Sequence, residues 1–327
     1  MTHAVDHSKH LIELASVDRE RIIGLLGLAR SYDDGTGMPS LDAALRSKLL
    51  GVNVCNLFFE DSTRTRVSFS LAAGNLGATV TNLAGAGSSV AKGESLIDTA
   101  VTVEAAGGHV LVVRSRASGA AQIIAQHVDV PVINAGDGTH EHPTQGLLDV
   151  YAMAAALGGG REESFDLSGL TVGIVGDIAS SRVARSDIAA MTRLGAKVVC
   201  VGPAPMAPRS LEVLGCEVTS DLDSVIGDLD AVQMLRIQFE RHGTGSVKRG
   251  NPPGVGSVRE YRSLYALTER RAERMKEGAI VMHPGPINRG LEIDGVVADG
   301  PRSVIRNQVS AGTLVRMAVL AELLGVD

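Results

Sequence analysis

The 327-residue chain has no tryptophan, and aromatic residues make up only 3% of it. It also lacks a basic excess. Lys and Arg number 31 against 37 Asp and Glu, a formal net charge of −6, which argues against a general nucleic-acid surface. No apolar run approaches the roughly 20 residues that span a bilayer, and the start, "MTHAVDHSKHLIEL", lacks the basic-then-apolar layout of a signal peptide. Cys55, Cys200 and Cys216 are few, scattered and odd in number, so neither a disulfide framework nor a zinc cluster is indicated. These absences point to a reducing cytoplasm. What is present, 44% hydrophobic and 21% charged residues, describes a globular chain long enough for two domains.

Against so few aromatics, "FFEDSTRTRVSF" (Phe58 to Phe69) stands out, because a hydroxyl- and guanidinium-rich knot interrupts an apolar run. Asp61, Ser62 and Thr63 are all good helix caps, so one reading is a plain helix N-terminus. The other is a phosphate cradle of free N–H groups, hydroxyls and an arginine fork. From this stretch alone the two weigh evenly.

Around it, short β-branched runs alternate with longer helical patterns. "LGVNVCNLFF", "ATVTNLAG", "HVLVVRS" and "VPVINAG" read as strands, with helices from about Arg66 to Leu76, over "ESLIDTAVTVEAAG" up to Gly107 and Gly108, and from Ala120 to Val128. "HPTQGLLDVYAMAAALGGG" reads as one long helix ending in a glycine run, followed by a polar hinge, "REESFDLSG". The alternation then restarts with "LTVGIVGD", a helix from about Arg182 to Leu194, "AKVVCVGP" and "DAVQMLR". "NQVSAGTLVRMAVLAELLG" reads as a final amphipathic helix able to pack back on the first domain. The order predicts an α/β chain with two doubly wound parallel-sheet domains joined by a long helix. The expected division is residues 1–146 with 307–327, and 147–306.

Polar clusters stand at five predicted strand ends, where open parallel sheets bind ligands. Arg114 ends "VLVVR", "GDGTHEHPTQ" with His142 and Gln145 follows "VPVINA", Arg182 follows "GIVGDIASS", Arg236 and Gln238 follow "AVQML", and "MHPGPINRG" follows "GAIV". Singly, an Arg at a strand end is more often a surface ion pair, and a His after a glycine-rich loop is more often a cap. "GIVGD" lacks G-x-G-x-x-G spacing and is a weak dinucleotide signal. Recurrence changes the balance: four of the five clusters carry Arg.

In order along the chain, "STRTR", "HPTQ", "RIQ" and "HPGP" resemble the motifs of the aspartate/ornithine carbamoyltransferases, and the resemblance runs from about residue 10 to the C-terminus. "FFEDSTRTRVSF" resembles the carbamoyl-phosphate motif that both branches share. "SSVAKGESLIDT" (Ser88 to Thr99) looks like the loop that reaches a neighbouring subunit's site. "MHPGPINRGLEI" resembles the ending of the branch that uses aspartate, and the Cys loop and Asp-x-x-x-Ser-Met-Gly segment of the ornithine branch are absent. Two departures are Ser115 and Ser180, where similar chains often have His. "GTGSVKRGNPPGVGS" matches the family poorly and reads as a loop near the amino-acid substrate.

The resemblance implies transfer of the carbamoyl group of carbamoyl phosphate to the amine of L-aspartate, early in pyrimidine biosynthesis. It implies that Ser62, Thr63, Arg64, Thr65 and Arg114 hold the phosphate, and that His142, Gln145 and backbone groups of Gly285 and Pro286 address the carbamoyl group. Arg182, Arg236 and Gln238 would clamp the two carboxylates, with Lys92 arriving from an adjacent chain. Arg64, Thr65, Arg114 and His142 would act on the oxyanion. It further implies a homotrimer or a multiple of one, no metal and no cofactor, and leaves open a regulatory chain or a dihydroorotase as partner. The residues themselves suit that chemistry. Several negative charges must gather at one site, which needs Arg forks, hydroxyls and N–H groups, and an amine nucleophile needs no Ser-His or Cys-His pair. Two rivals are a carbamoyltransferase for another amine, such as ornithine, and a non-catalytic scaffold. The "HPGP" loop with Arg236 and Gln238 speaks against the first, and the intact Arg, His and Lys set against the second.

Overall fold

The computed structural model describes residues 6–84, 93–238 and 253–327. The chain divides into two compact units, Met1–Leu148 with Val309–Asp327, and Asp149–Gln308.

In the first unit β1 (Asn53–Phe58), β2 (Thr79–Ala84), β3 (Val110–Ser115) and β4 (Val132–Asp137) form a sheet in the order β2-β1-β3-β4, every pair parallel. Helices α1 (Arg19–Ser31), α2 (Thr63–Asn75), α3 (Leu96–Ala105), α4 (Ala120–Ala125) and α5 (Pro143–Leu157) accompany it. A sheet covered on both faces needs strands that are apolar throughout. The starts of β3 and β4 meet that need, where Leu111, Val113 and Val132 join Ile12, Leu57 and Ile124 in one aliphatic cluster, and both strands turn polar toward their C-terminal ends, at Arg114 and Ser115 and at Asn134 and Asp137.

Two segments differ from their sequence reading. Helix α2 begins at Thr63 rather than near Arg66, because Ser62 adopts the extended N-cap conformation (φ −158°, ψ 103°); the whole "TRTR" stretch is therefore its first turn. The C-terminal helix, Ile305–Leu323, is not amphipathic over its second half, since every residue from Leu314 to Ala321 is buried. It is anchored on the first unit, where buried Arg316 donates to Ser68 Oγ at 2.8 Å and lies 5.1 Å above the Phe69 ring. Glu322 also accepts from Arg21 of α1 at 2.6 Å.

The second unit holds β5 (Thr171–Val175), β6 (Lys197–Val201), β7 (Glu217–Thr219), β8 (Ala231–Met234) and β9 (Ile280–Met282) in the order β7-β6-β5-β8-β9, again all parallel. The order reverses direction beside β5 and β8, which is the doubly wound arrangement. Strand β7 is only three residues long and carries no run that would reveal it in sequence. The polar hinge is partly structured: Arg161–Ser164 is a short helix, α6, and Phe165 is buried with its ring 6.0 Å from that of Tyr151. The glycines of "GIVGD" serve packing. A side chain at Gly173 would collide with Leu229, and one at Gly176 (φ +135°) would stand 3.0 Å from Leu235 Cβ. Among the described residues no helix is long and apolar enough to cross a membrane.

Candidate active site

Because the first sheet is parallel, the C-terminal ends of β1, β3 and β4 lie on one edge, and the sequence-predicted residues of this unit emerge there. The β1–α2 loop is tied to the end of β3, where the Phe59 N–H donates to the Arg114 carbonyl at 2.8 Å. The Arg114 guanidinium is aimed by its neighbours, donating through Nη1 to the Ala135 carbonyl of β4 (2.9 Å) and lying 3.5 Å from Glu60. Arg64 and Thr63 are exposed in the first turn of α2, Ser62 is half-buried and Thr65 is buried. Ser62 makes no side-chain capping bond, whereas Ser95, Ser181 and Ser257 each accept an N–H from their own helix. The first turn of α2 therefore keeps N–H groups that its cap side chain does not occupy, which is what an anion at a helix N-terminus uses.

His142 and Gln145 open α5 at the end of β4. The His142 carbonyl accepts from Gln145 N–H at 2.8 Å, and Pro143 takes the first helical position, where a missing N–H costs nothing. The loop before them is braced by charges that the sequence did not single out. Asp137 accepts from Gly119 N–H (2.7 Å) and Asn134 Nδ2 (2.8 Å), while His140 bridges Asp137 (3.1 Å) and Glu13 (3.0 Å). Glu141 accepts the N–H groups of Leu14 and Ala15 at 2.7 and 3.1 Å. The hydrogen bond to Asp137 raises His140 to about 9 against the opposing effect of burial, with Glu13 and Glu141 assisting. Burial works against ionised Asp137, but its His140 and Asn134 bonds outweigh that and hold its carboxyl below the usual range.

In the second unit Arg182, Arg236 with Gln238, and Gly285 with Pro286 follow the neighbouring strands β5, β8 and β9. Arg182 is buried in the first turn of α7 (Arg182–Arg193), and Arg236 and Gln238 are half-buried. Asn288 Nδ2 donates to the Ile237 carbonyl at 3.3 Å, which ties the "HPGP" loop to the segment bearing Arg236 and Gln238. Inside that loop His283 Nδ1 accepts from Gly285 N–H at 2.8 Å, so the ring proton sits on Nε2, 3.2 Å from Glu292. Glu292 also accepts from Asn288 N–H at 2.6 Å. The Gly285–Pro286 bond is cis.

Beneath these strand ends lies a buried polar network. Gln233 Nε2 donates to Asp149 (2.9 Å) and Asp187 (3.3 Å), Gln308 Nε2 donates to Asp149 (2.7 Å), and Gln308 Oε1 accepts from His283 N–H (2.9 Å). It connects β8 three residues before Arg236, α7 five residues after Arg182, and the "HPGP" loop. A glutamine inside apolar "AVQML" is the one signal that could have exposed it. Ser115, the first departure from the family pattern, is buried and its hydroxyl accepts from Ala117 N–H at 3.1 Å. At the second, Ser180, the backbone N–H donates to Asp177 at 3.3 Å. Lys92 and the preceding residues 88–91 of its loop lie outside the described residues, as do residues 243–252 of the glycine- and proline-rich segment.

Two family models match the chain: the carbamoyl-phosphate-binding domain of the aspartate/ornithine carbamoyltransferases over residues 9–155, and their Asp/Orn-binding domain over residues 168–323. The aspartate carbamoyltransferase catalytic subunit of Myxococcus xanthus is 48% identical over 312 residues, covering 95% of this chain and 98% of that one. The crystal structure of aspartate transcarbamoylase from Trypanosoma cruzi in complex with carbamoyl phosphate and aspartate is 29% identical, with a TM-score of 0.78 over 96% of this chain and 94% of that one. Ornithine carbamoyltransferase from Thermus thermophilus, at 22% identity and a TM-score of 0.80 over 97% and 99% of the two chains, shares the fold. With both models matched, their motifs at neighbouring strand ends and nearly half the residues of a catalytic subunit retained, the chain belongs to the aspartate/ornithine carbamoyltransferase family.

Proposed function

We propose that the chain transfers the carbamoyl group of carbamoyl phosphate to the amine of L-aspartate, giving N-carbamoyl-L-aspartate and inorganic phosphate. The observation that carries this reading is Arg114, fixed by the Ala135 carbonyl and Glu60 beside a helix N-terminus whose serine cap leaves its N–H groups to an anion. The choice of aspartate over a diamine rests on Arg182 and Arg236 at adjacent strand ends, and on Glu292, the carboxylate of the "HPGP" loop, being turned inward onto His283 and Asn288. A second carboxylate on the substrate suits those guanidinium groups; a side-chain ammonium does not.

In this reading Ser62, Thr63, Arg64, Thr65 and Arg114 hold the phosphate, and His142, Gln145 and the backbone of Gly285 and Pro286 orient the carbamoyl group. Arg182, Arg236 and Gln238 bind the aspartate carboxylates. The substrate amine attacks the carbonyl carbon and a C–N bond forms. The C–O bond to phosphate then breaks, and the leaving phosphate accepts the amine's proton. Donors from Arg64, Thr65, Arg114 and His142 stabilise the intermediate oxyanion, each such donor being worth roughly 10²–10³ in rate. Holding two substrates in register lowers the barrier further.

Three extensions go with the reading. The first unit is the carbamoyl-phosphate half and the second the aspartate half. The protein works as a homotrimer or a multiple of one, with Lys92 completing a neighbour's site. Its product is the open-chain precursor of a pyrimidine ring, which assigns it to pyrimidine synthesis in the cytoplasm. Phosphate release by the purified protein, with carbamoyl phosphate and either L-aspartate or L-ornithine, tests the core claim. Turnover is expected with aspartate; preference for ornithine would overturn it.

A further inference from the structure

A basic cavity in the second unit lies apart from the residues assigned to carbamoyl transfer. The helix Val258–Tyr265 buries Tyr261 and Tyr265, four apart, in the unit's core. Its other face carries Arg259, exposed, and Arg262, half-exposed. Arg270 and Arg271 on the short helix Glu269–Ala272, and Arg274 just beyond it, face the same space. These five arginines and Asp223 line a cavity of about 450 Å³.

Its charges do not balance. Asp223, on α8 (Leu222–Val225), is the one acid among the described lining residues, set against five guanidinium groups. It is already engaged, accepting from Arg271 at 2.7 Å and Arg274 at 2.5 Å, and Arg271 first, then Arg274, hold its carboxyl below the usual range. Arg262 is paired with Asp294 at 2.7 Å. Arg259 and Arg270 have no ion pair with any described carboxylate.

The lining also says what would offset these charges. Besides guanidinium groups it offers the hydroxyl-bearing Ser263 and Thr268, and no aromatic ring. Such a wall offers an apolar ligand no aliphatic or aromatic side chain, and guanidinium forks match the oxygens of phosphate. We propose that this cavity is a second, non-catalytic anion site that takes a polyphosphate group, either inorganic or as the tail of a nucleotide. The proposal does not rest on the assignment of carbamoyl transfer.

Titration calorimetry with sodium tripolyphosphate tests it, using intact protein carrying Arg64→Ala to disable the phosphate cradle of the first unit. One binding event per chain is expected, weakening as salt is raised. Adding Arg259→Ala and Arg270→Ala should weaken it about tenfold per arginine, since each removes a charge-assisted contact. Both side chains are exposed, so the unfolding midpoint should not move. Lysine at both positions should keep part of the affinity, because the charge stays while the fork is lost. A nucleoside triphosphate matching tripolyphosphate assigns recognition to the phosphates alone, and tenfold tighter binding assigns it to a nucleotide. No binding, or binding indifferent to both arginines, overturns the proposal.

Discussion

Gln308 and Asp149, 159 positions apart, meet at 2.7 Å in the buried interior of the second unit. Each stands where a continuous helix carries the chain across the division between the units, Asp149 on the way in and Gln308 on the way out. Asp149 also accepts from Gln233. Asp149→Ala should therefore leave two buried amides short of an acceptor and cost about 2–5 kcal/mol in urea unfolding. Asp149→Asn, which keeps one acceptor, should cost less. A loss below about 1 kcal/mol in the alanine variant would show the network to be dispensable.

Glu292 works through His283 and Asn288 on the backbone that carries Gly285 and Pro286. In Glu292→Ala the loop loses both anchors, and kcat should fall at least about tenfold, since sub-ångström misplacement of orienting groups is costly. Glu292→Gln retains an acceptor oxygen and should stay within a few-fold. Steady-state phosphate release distinguishes them; equal activity in both would detach the loop from catalysis.

His140 gives a pH signature. Its folded value is raised from 6.5 to about 9, so its contribution to stability is complete below about 6.5 and is lost as pH rises through 9. Compared with His140→Ala, the parent should show a constant stability advantage at about pH 6 and a shrinking one toward about pH 9.5, read from urea midpoints. An advantage that grows with pH would contradict the Asp137–His140–Glu13 bridge.

Arg236→Ala should raise the KM for aspartate at least about tenfold and leave that for carbamoyl phosphate nearly unchanged, because only the dicarboxylate is assigned to that guanidinium. Parallel losses for both substrates, measured by varying each in turn, would move Arg236 to the other ligand.

Arg64→Ala and Lys92→Ala chains should each be nearly inactive alone. Unfolded together and reassembled, they should regain activity, since every mixed trimer then contains one site with both residues intact. A fully active Lys92→Ala protein would end the shared-site reading.

Much of this was legible along the chain. Alternating β-branched and helical runs announced the parallel sheets, because a strand covered on both faces has to be apolar throughout. "STRTR", Arg114, "HPTQ", "RIQ" and "HPGP" stood out because guanidinium and hydroxyl groups interrupt those runs at the strand ends. Such signals are local, and local chemistry suffices to produce them.

Tertiary structure decided the rest. Only the fold brings Asp149, Asp187, Gln233 and Gln308 together, from one strand and three helices. Only the fold collects five arginines around Asp223. Strand β7 is too short to declare itself, and the full burial of the C-terminal helix around Arg316 depends on what packs against it. The cap at Ser62 likewise depends on a backbone conformation that moves the whole "TRTR" stretch into the first turn of α2. Sequence determined which residue types are gathered at the strand ends, where the proposed phosphate and carboxylates would meet them. The long-range hydrogen bonds decide how rigidly those residues are held, since buried polar groups must find partners wherever the fold places them.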